Sequence, residues 1–140
     1  MTDEALLRRC SELYAQGADR RDPALWASVM TEDMVLEGPG FRHEGRDAVL
    51  SLLDVLGQMF TVTQHRVFQV VATLDGDRAS GETYCSAEHV LKDQDLLLVW
   101  AIRYQDQWRK DDGVWRFAQR SLVVDWEEVR PIKAQVEAGQ

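Results

Sequence analysis

Apolar residues along this chain recur first at helical spacing and then, from Val62 onward, in the alternation of strands. Leu6, Cys10, Leu13, Tyr14 and Ala18 share one helical face, with Thr2 placed to cap it and Asp3 and Glu4 in the first turn, so a first helix is predicted. Asp22 followed by Pro23 supplies a cap and a proline at the first helical position, which predicts a short second helix over 23–30 with Leu25, Trp26 and Val29 inward. Ala18-Asp19-Arg20-Arg21 joins the two. Met34-Val35-Leu36 reads as a short strand or half of a hairpin, stopped at Gly38-Pro39-Gly40, and Val49, Leu50, Leu53 and Leu56 predict a third helix over 46–59.

Four long strand-like runs follow, over 65–73, 79–91, 96–110 and 114–125, divided by Asp75-Gly76-Asp77, Lys92-Asp93-Gln94-Asp95 and Asp111-Asp112-Gly113. Turns this short join antiparallel neighbours. The expected class is α+β: a curved antiparallel sheet around N-terminal helices, able to enclose a cavity, in one domain over 1–132 with a polar tail over 133–140. Period-two parity puts Thr83, Cys85, Ala87 and His89 on one inward face. Leu98, Trp100, Ile102, Tyr104, Asp106 and Trp108 share the next, which leaves Leu97, Val99 and Ala101 outward and apolar enough for burial between subunits. Along the first run, His65, Val67, Gln69 and Val71 share a face.

Composition narrows the function. A net charge of −8, from 24 acidic and 16 basic residues, argues against nucleic-acid or anionic-membrane partners, which select basic surfaces. No apolar run is long enough for a membrane span and the N-terminus is acidic, so a cytoplasmic location is expected. Cys10 and Cys85 read as buried free thiols, and no metal-ligand spacing occurs. Neither a metal nor an organic cofactor is expected.

The chemistry concentrates on His65 and Asp19. An imidazole titrates near neutral pH, and a carboxylate bonded to one ring nitrogen fixes the tautomer and stabilises the imidazolium formed when the other accepts a proton. Taken alone, Asp19 is as readily a helix cap or a partner of Arg20, Arg21 or Arg66, and His65 an edge histidine. Tyr14 is as readily a core residue, and His89 and Tyr104 as readily structural as substrate-positioning. Trp100 and Phe41 are candidate aromatic contacts for a substrate.

The order of motifs changes those odds. Tyr14 on a helix followed by Ala18-Asp19-Arg20-Arg21-Asp22, then Thr63-Gln64-His65, then Asp112-Gly113-Val114-Trp115-Arg116-Phe117, resembles the SnoaL-like branch of the nuclear transport factor 2 superfold, over roughly residues 6–126. The resemblance is strongest to the group of scytalone dehydratase, bile acid 7α-dehydratase and hexachlorocyclohexane dehydrochlorinase. It implies a cone-shaped α+β barrel with an internal pocket, His65 as general base, Asp19 as its partner and Tyr14 in the pocket. Tyrosines through which scytalone dehydratase activates its substrate are matched here by Ala18 and Gly38, so scytalone itself is not the expected substrate. His89 matches that enzyme's second pocket histidine, and Tyr104 stands where it has asparagine.

The function implied is a cofactor-independent lyase, a dehydratase or related elimination or carbon–carbon cleavage enzyme, acting on a small apolar, aromatic or polycyclic compound. An isomerase or aldol-type cyclase would use the same base. A non-catalytic ligand-binding module, or a structural subunit like the β-subunit of ring-hydroxylating dioxygenases, would share the superfold without the reaction. The resemblance also implies a homodimer or homotrimer formed through the outer sheet face.

Overall fold

The computed structural model describes residues 1–133. The tail expected over 133–140 lies, beyond Lys133, outside the described residues. Helix α1 spans Asp3–Asp19, and its N-cap Thr2 accepts from the Ala5 amide at 3.1 Å. Helix α2 spans Pro23–Ala27, capped by Asp22, which accepts from the Leu25 amide at 3.0 Å. Gly17 lets the two meet, since a Cβ there would lie 2.9 Å from the Trp26 backbone. Strands β1 (Met30–Gly38) and β2 (Phe41–Glu44), helices α3 (Arg46–Leu50) and α4 (Leu52–Met59), and strands β3 (Phe60–Asp75), β4 (Arg78–Leu91), β5 (Leu96–Asp111) and β6 (Val114–Pro131) follow.

The six strands form one mixed sheet in the order β2-β1-β6-β5-β4-β3, with β1 and β6 parallel and every other pair antiparallel. The sheet curves around the helices, the α+β class expected. Its inner face is a stack of cross-strand rows read through β3, β4, β5 and β6. From the β3 start they run Thr63-His89-Leu98-Val129, His65-Ala87-Trp100-Glu127, Val67-Cys85-Ile102-Val124, Val70-Thr83-Tyr104-Leu122 and Ala72-Gly81-Asp106-Arg120. Leu74-Ala79-Trp108-Phe117 closes the far end, where Trp108 and Phe117 pack ring to ring at 5.5 Å.

Three expectations need correction. The second helix ends at Ala27, because the Phe117 amide of β6 captures the Val29 carbonyl at 2.7 Å and draws the chain into β1. The third helix is two, broken at Ser51, whose hydroxyl donates back to the Ala48 carbonyl at 2.6 Å. Gln69 and Val71 do not share the His65 face: one extra residue bulges out of β3 between Val67 and Val70, both Phe68 and Gln69 are exposed, and the inward set resumes at Val70. On β5, Leu97 and Val99 face outward as expected but are already buried within the single chain. The large exposed apolar groups of the outer face are instead Phe68, Val71, Tyr84 and Trp126.

Candidate active site

Asp19 closes α1, and β3 opens beneath it. Thr63 and His65, two residues apart on the strand, therefore present their side chains to the same carboxylate. Asp19 Oδ1 accepts from His65 Nδ1 at 2.6 Å and from the Thr63 hydroxyl at 3.0 Å, while Oδ2 accepts from the His65 backbone amide at 2.9 Å. Burial pushes the Asp19 carboxyl up, but the His65 ring, the His65 amide and the Thr63 hydroxyl outweigh it and hold the group below the usual carboxylate range. An ionised Asp19 can only accept, so Nδ1 carries a proton, and in the neutral ring the lone pair is the one on Nε2. The dyad is half-buried and borders a cleft of about 410 Å³ at the α1–β3 seam.

Neighbouring rows give the dyad an aromatic, largely apolar surround. Next to His65 in its row stands Ala87, fully buried, and beyond that Trp100. His89 lies one row away, its ring 6.0 Å from His65, 5.5 Å from Trp100 and 4.6 Å from Phe60. Burial pulls the His89 imidazole down to about 4, against a smaller opposing effect of its bond to Leu98. It is neutral at pH 7, and its Nδ1–H is committed to the Leu98 carbonyl at 3.0 Å. That leaves Nε2 as an acceptor and rules His89 out as a proton donor. The row ends at Glu127, whose Oε2 accepts from the Trp100 indole at 2.8 Å.

Further along the cone, Tyr14 and Tyr104 meet edge to face at 6.0 Å around a fully buried guanidinium. Arg120 Cζ lies 3.6 Å from the Tyr104 ring centre, 4.1 Å from that of Phe117 and 4.4 Å from that of Tyr14. Arg120 donates to buried Asp106 from Nε at 2.7 Å and from Nη2 at 3.2 Å. The Thr83 hydroxyl donates to the same carboxylate at 2.6 Å, with Ser11 behind it. Burial pushes both phenols far up, so they stay protonated and can act as donors but not as bases.

Six of the expected residues thus come together in two groups: Asp19, His65 and His89 with Trp100, and Tyr14 with Tyr104. Phe41 sits apart from these contacts, on β2, seated over side-chain-free Gly38 and 5.9 Å from His43. Arg120 and Glu127 escaped the sequence. Counting by twos from Phe117 sends Arg120 outward, and the extra residue Ala118 turns it in. Asp106 on an inward parity was the available signal, since a buried carboxylate requires a cationic partner. Cys10 and Cys85 are buried, with thiols pushed up to about 11 and about 12, and are inert at neutral pH. Larger depressions of about 770 and 510 Å³ lie on the outer sheet face, away from the dyad. Among the described residues no group of three or more His, Cys, Asp or Glu side chains could hold a metal ion, and no helix is long and apolar enough to cross a membrane.

A curved sheet over helices, with a carboxylate–imidazole pair between the first helix and the first long strand, defines a protein of the nuclear transport factor 2-like superfamily. Within it the chain belongs to the SnoaL-like domain family, which it matches over residues 1–121. It is similar to a putative scytalone dehydratase from Novosphingobium aromaticivorans, with 24% identity, a TM-score of 0.82 and coverage of 95% of this chain and 94% of that one. A type 2 hexachlorocyclohexane dehydrochlorinase superposes with a TM-score of 0.87 at 19% identity, covering 97% and 94% of the two chains. A Mycobacterium tuberculosis protein of unknown function is 25% identical, with a TM-score of 0.78 over 86% of this chain and 70% of that one. No functionally curated protein matches the chain.

Proposed function

We propose that the chain is a cofactor-independent lyase that removes a proton from carbon and expels a neighbouring group from a small, largely apolar substrate. The observation that carries this reading is the Asp19–His65 geometry, a 2.6 Å bond that engages Nδ1 and leaves Nε2 as the lone-pair nitrogen of the neutral ring. His65 Nε2 takes the proton, the C–H electron pair becomes the new double bond, and the leaving group departs with its own pair. Asp19 keeps the resulting imidazolium charged and oriented. Where the leaving group is hydroxide, it needs a proton to depart as water, and the His65 imidazolium holds one to return, while Tyr14 and Tyr104 stay protonated as hydrogen-bond donors. A lone imidazole is a weak base, so the substrate carries an acidified C–H, beside a carbonyl or an electron-withdrawing substituent. The aromatic rings of Phe60, His89 and Trp100 favour a flat or cyclic body.

Deuterium exchange tests proton abstraction without presuming the later step. A panel of cyclic β-hydroxy ketones and polyhalogenated cycloalkanes is incubated in D2O, and label uptake and product are read by NMR and mass spectrometry. Native protein is expected to exchange or eliminate with at least one member. His65→Ala and Asp19→Asn should lose both activities while folding normally. Exchange at the native rate in His65→Ala would sink the proposal. Exchange without elimination would favour the isomerase reading, which uses the same base.

A further inference from the structure

Arg21 has a left-handed backbone, φ +51°, at a position where glycine is the usual occupant. The Asp22 amide donates to the Gly17 carbonyl at 3.0 Å and the Arg21 amide to the Ala18 carbonyl at 3.2 Å, a pair of bonds that closes α1 and turns the residue after the cap left-handed. A side chain larger than hydrogen is strained there. The turn carries the half-buried guanidinium back beneath the helix end, where Nη1 donates to the Ala18 carbonyl at 2.6 Å and to the Thr63 hydroxyl at 2.9 Å. Thr63 pairs with His89 across the β3–β4 ladder, and the charges of Arg21 and of His65 both act on the His89 ring. A guanidinium and two imidazoles therefore stand around one corner of the inner face.

Unlike Arg103, Arg109 and Arg120, each joined to a carboxylate, Arg21 makes no ion pair among the described residues. Asp19 is near enough to act on it, yet takes its bonds from Thr63 and His65. Nε and Nη2 of Arg21 find no acceptor among the described residues either, so those N–H groups are uncommitted. Burial pulls the guanidinium down from its ordinary value, with Asp19 opposing, and it stays charged. Such a cation suits the charge that proton abstraction creates. When His65 Nε2 takes a proton from the carbon beside a carbonyl, the C–H bond breaks, its electron pair forms a carbon–carbon double bond, and the carbonyl pair moves onto oxygen. The products are an imidazolium and an enolate. Collapse of the enolate restores the carbonyl, forms the new double bond and expels the leaving group with its own pair. Asp19 holds the imidazolium, and a second, opposite charge is needed for the oxygen. We infer that Arg21 is a catalytic residue that holds the enolate oxygen, and that the substrate is a carbonyl compound and not a haloalkane. The inference rests on His65 as the base and adds the group that faces it.

Two measurements on the full chain test it. The oxygen of para-nitrophenol mimics that of an enolate, and its yellow phenolate is read by visible absorbance. Bound to native protein, the probe should ionise at a lower pH than it does free in solution. Arg21→Gln should abolish that preference, Arg21→Lys should keep part of it, and His65→Ala should leave it in place. Arg21→Gly relieves the strained backbone, so it should lose the preference while its unfolding midpoint stays at or above native, which separates loss of the cation from a folding defect. In deuterium exchange, Arg21→Gln should slow label uptake by the cyclic β-hydroxy ketones about a hundredfold or more with little change in KM. Equal ionisation of the probe with native protein and with Arg21→Gly, whether or not it binds, would overturn the inference. A raised KM with unchanged turnover would overturn it too, because Arg21 would then hold a ground-state anion. If His65→Ala exchanges at the native rate, the base assignment falls, and the phenol measurement still decides whether Arg21 holds an oxyanion.

Discussion

The buried Asp106–Arg120 pair makes a sharp energetic prediction. Deleting one partner of a buried pair costs about 3–5 kcal/mol because an uncompensated charge remains, whereas replacing both with apolar residues is often neutral or stabilising. The structure assigns the two single deletions to opposite ends of that range. Asp106→Leu leaves Arg120 against three aromatic faces at 3.6–4.4 Å, and desolvated cation–π contacts of up to about 2 kcal/mol each offset part of the loss, so about 3 kcal/mol is expected. Arg120→Met leaves Asp106 with the Thr83 hydroxyl as its remaining donor, so about 5 kcal/mol is expected. Urea unfolding of both single variants and the double variant gives the coupling directly. The double variant should be more stable than either single one, with a coupling energy of about 3 kcal/mol or more. Strict additivity, or a cost below about 1 kcal/mol for Arg120→Met, would refute the reasoning that this charge is held by its partner.

Other outcomes follow from the same geometry. His89 sits at about 4 in the folded chain, below its ordinary 6.5, so the unfolded chain binds a proton that the native one does not. Urea midpoints should therefore fall as pH drops from about 6.5 toward 4, the depressed Asp19 adding to the loss in acid, and His89→Phe should flatten the upper part of that fall. Gly17→Ala drives a methyl into the Trp26 backbone and should cost about 1–3 kcal/mol in thermal or urea unfolding; a neutral result would mean that α1 and α2 are not pressed together as described. Phe68, Val71, Tyr84 and Trp126 on the outer face fit burial between copies, so light scattering should report a dimer or trimer that Trp126→Glu weakens. A monomeric native protein at high concentration would exclude this.

Legibility in the sequence followed the regularity of the strands. On β4 and β5 the alternation runs unbroken, and the inward sets Thr83 to His89 and Leu98 to Trp108 were readable residue by residue. On β3 and β6 an extra residue shifts the phase, which hid the outward turn of Gln69 and the inward turn of Arg120. Asp19 and His65 were legible only as members of an ordered set of motifs, because nothing local to either marks a dyad. Arg21 read as one charge in a run of polar residues. Its backbone torsion and its bond to Thr63 depend on how α1 ends over β3, and no spacing rule conveys that.

The extra residues also give this sheet one-sided slack. Losing one residue at Phe68–Gln69, or Ala118 from β6, would restore plain alternation with His65, Val70, Phe117 and Arg120 all still facing inward. Gaining one at the same places would keep the same facing, but only by looping two residues out of the ladder against each partner strand. Variation in the length of these two strands should therefore run toward deletion, which straightens the sheet while leaving the dyad and the buried arginine facing inward.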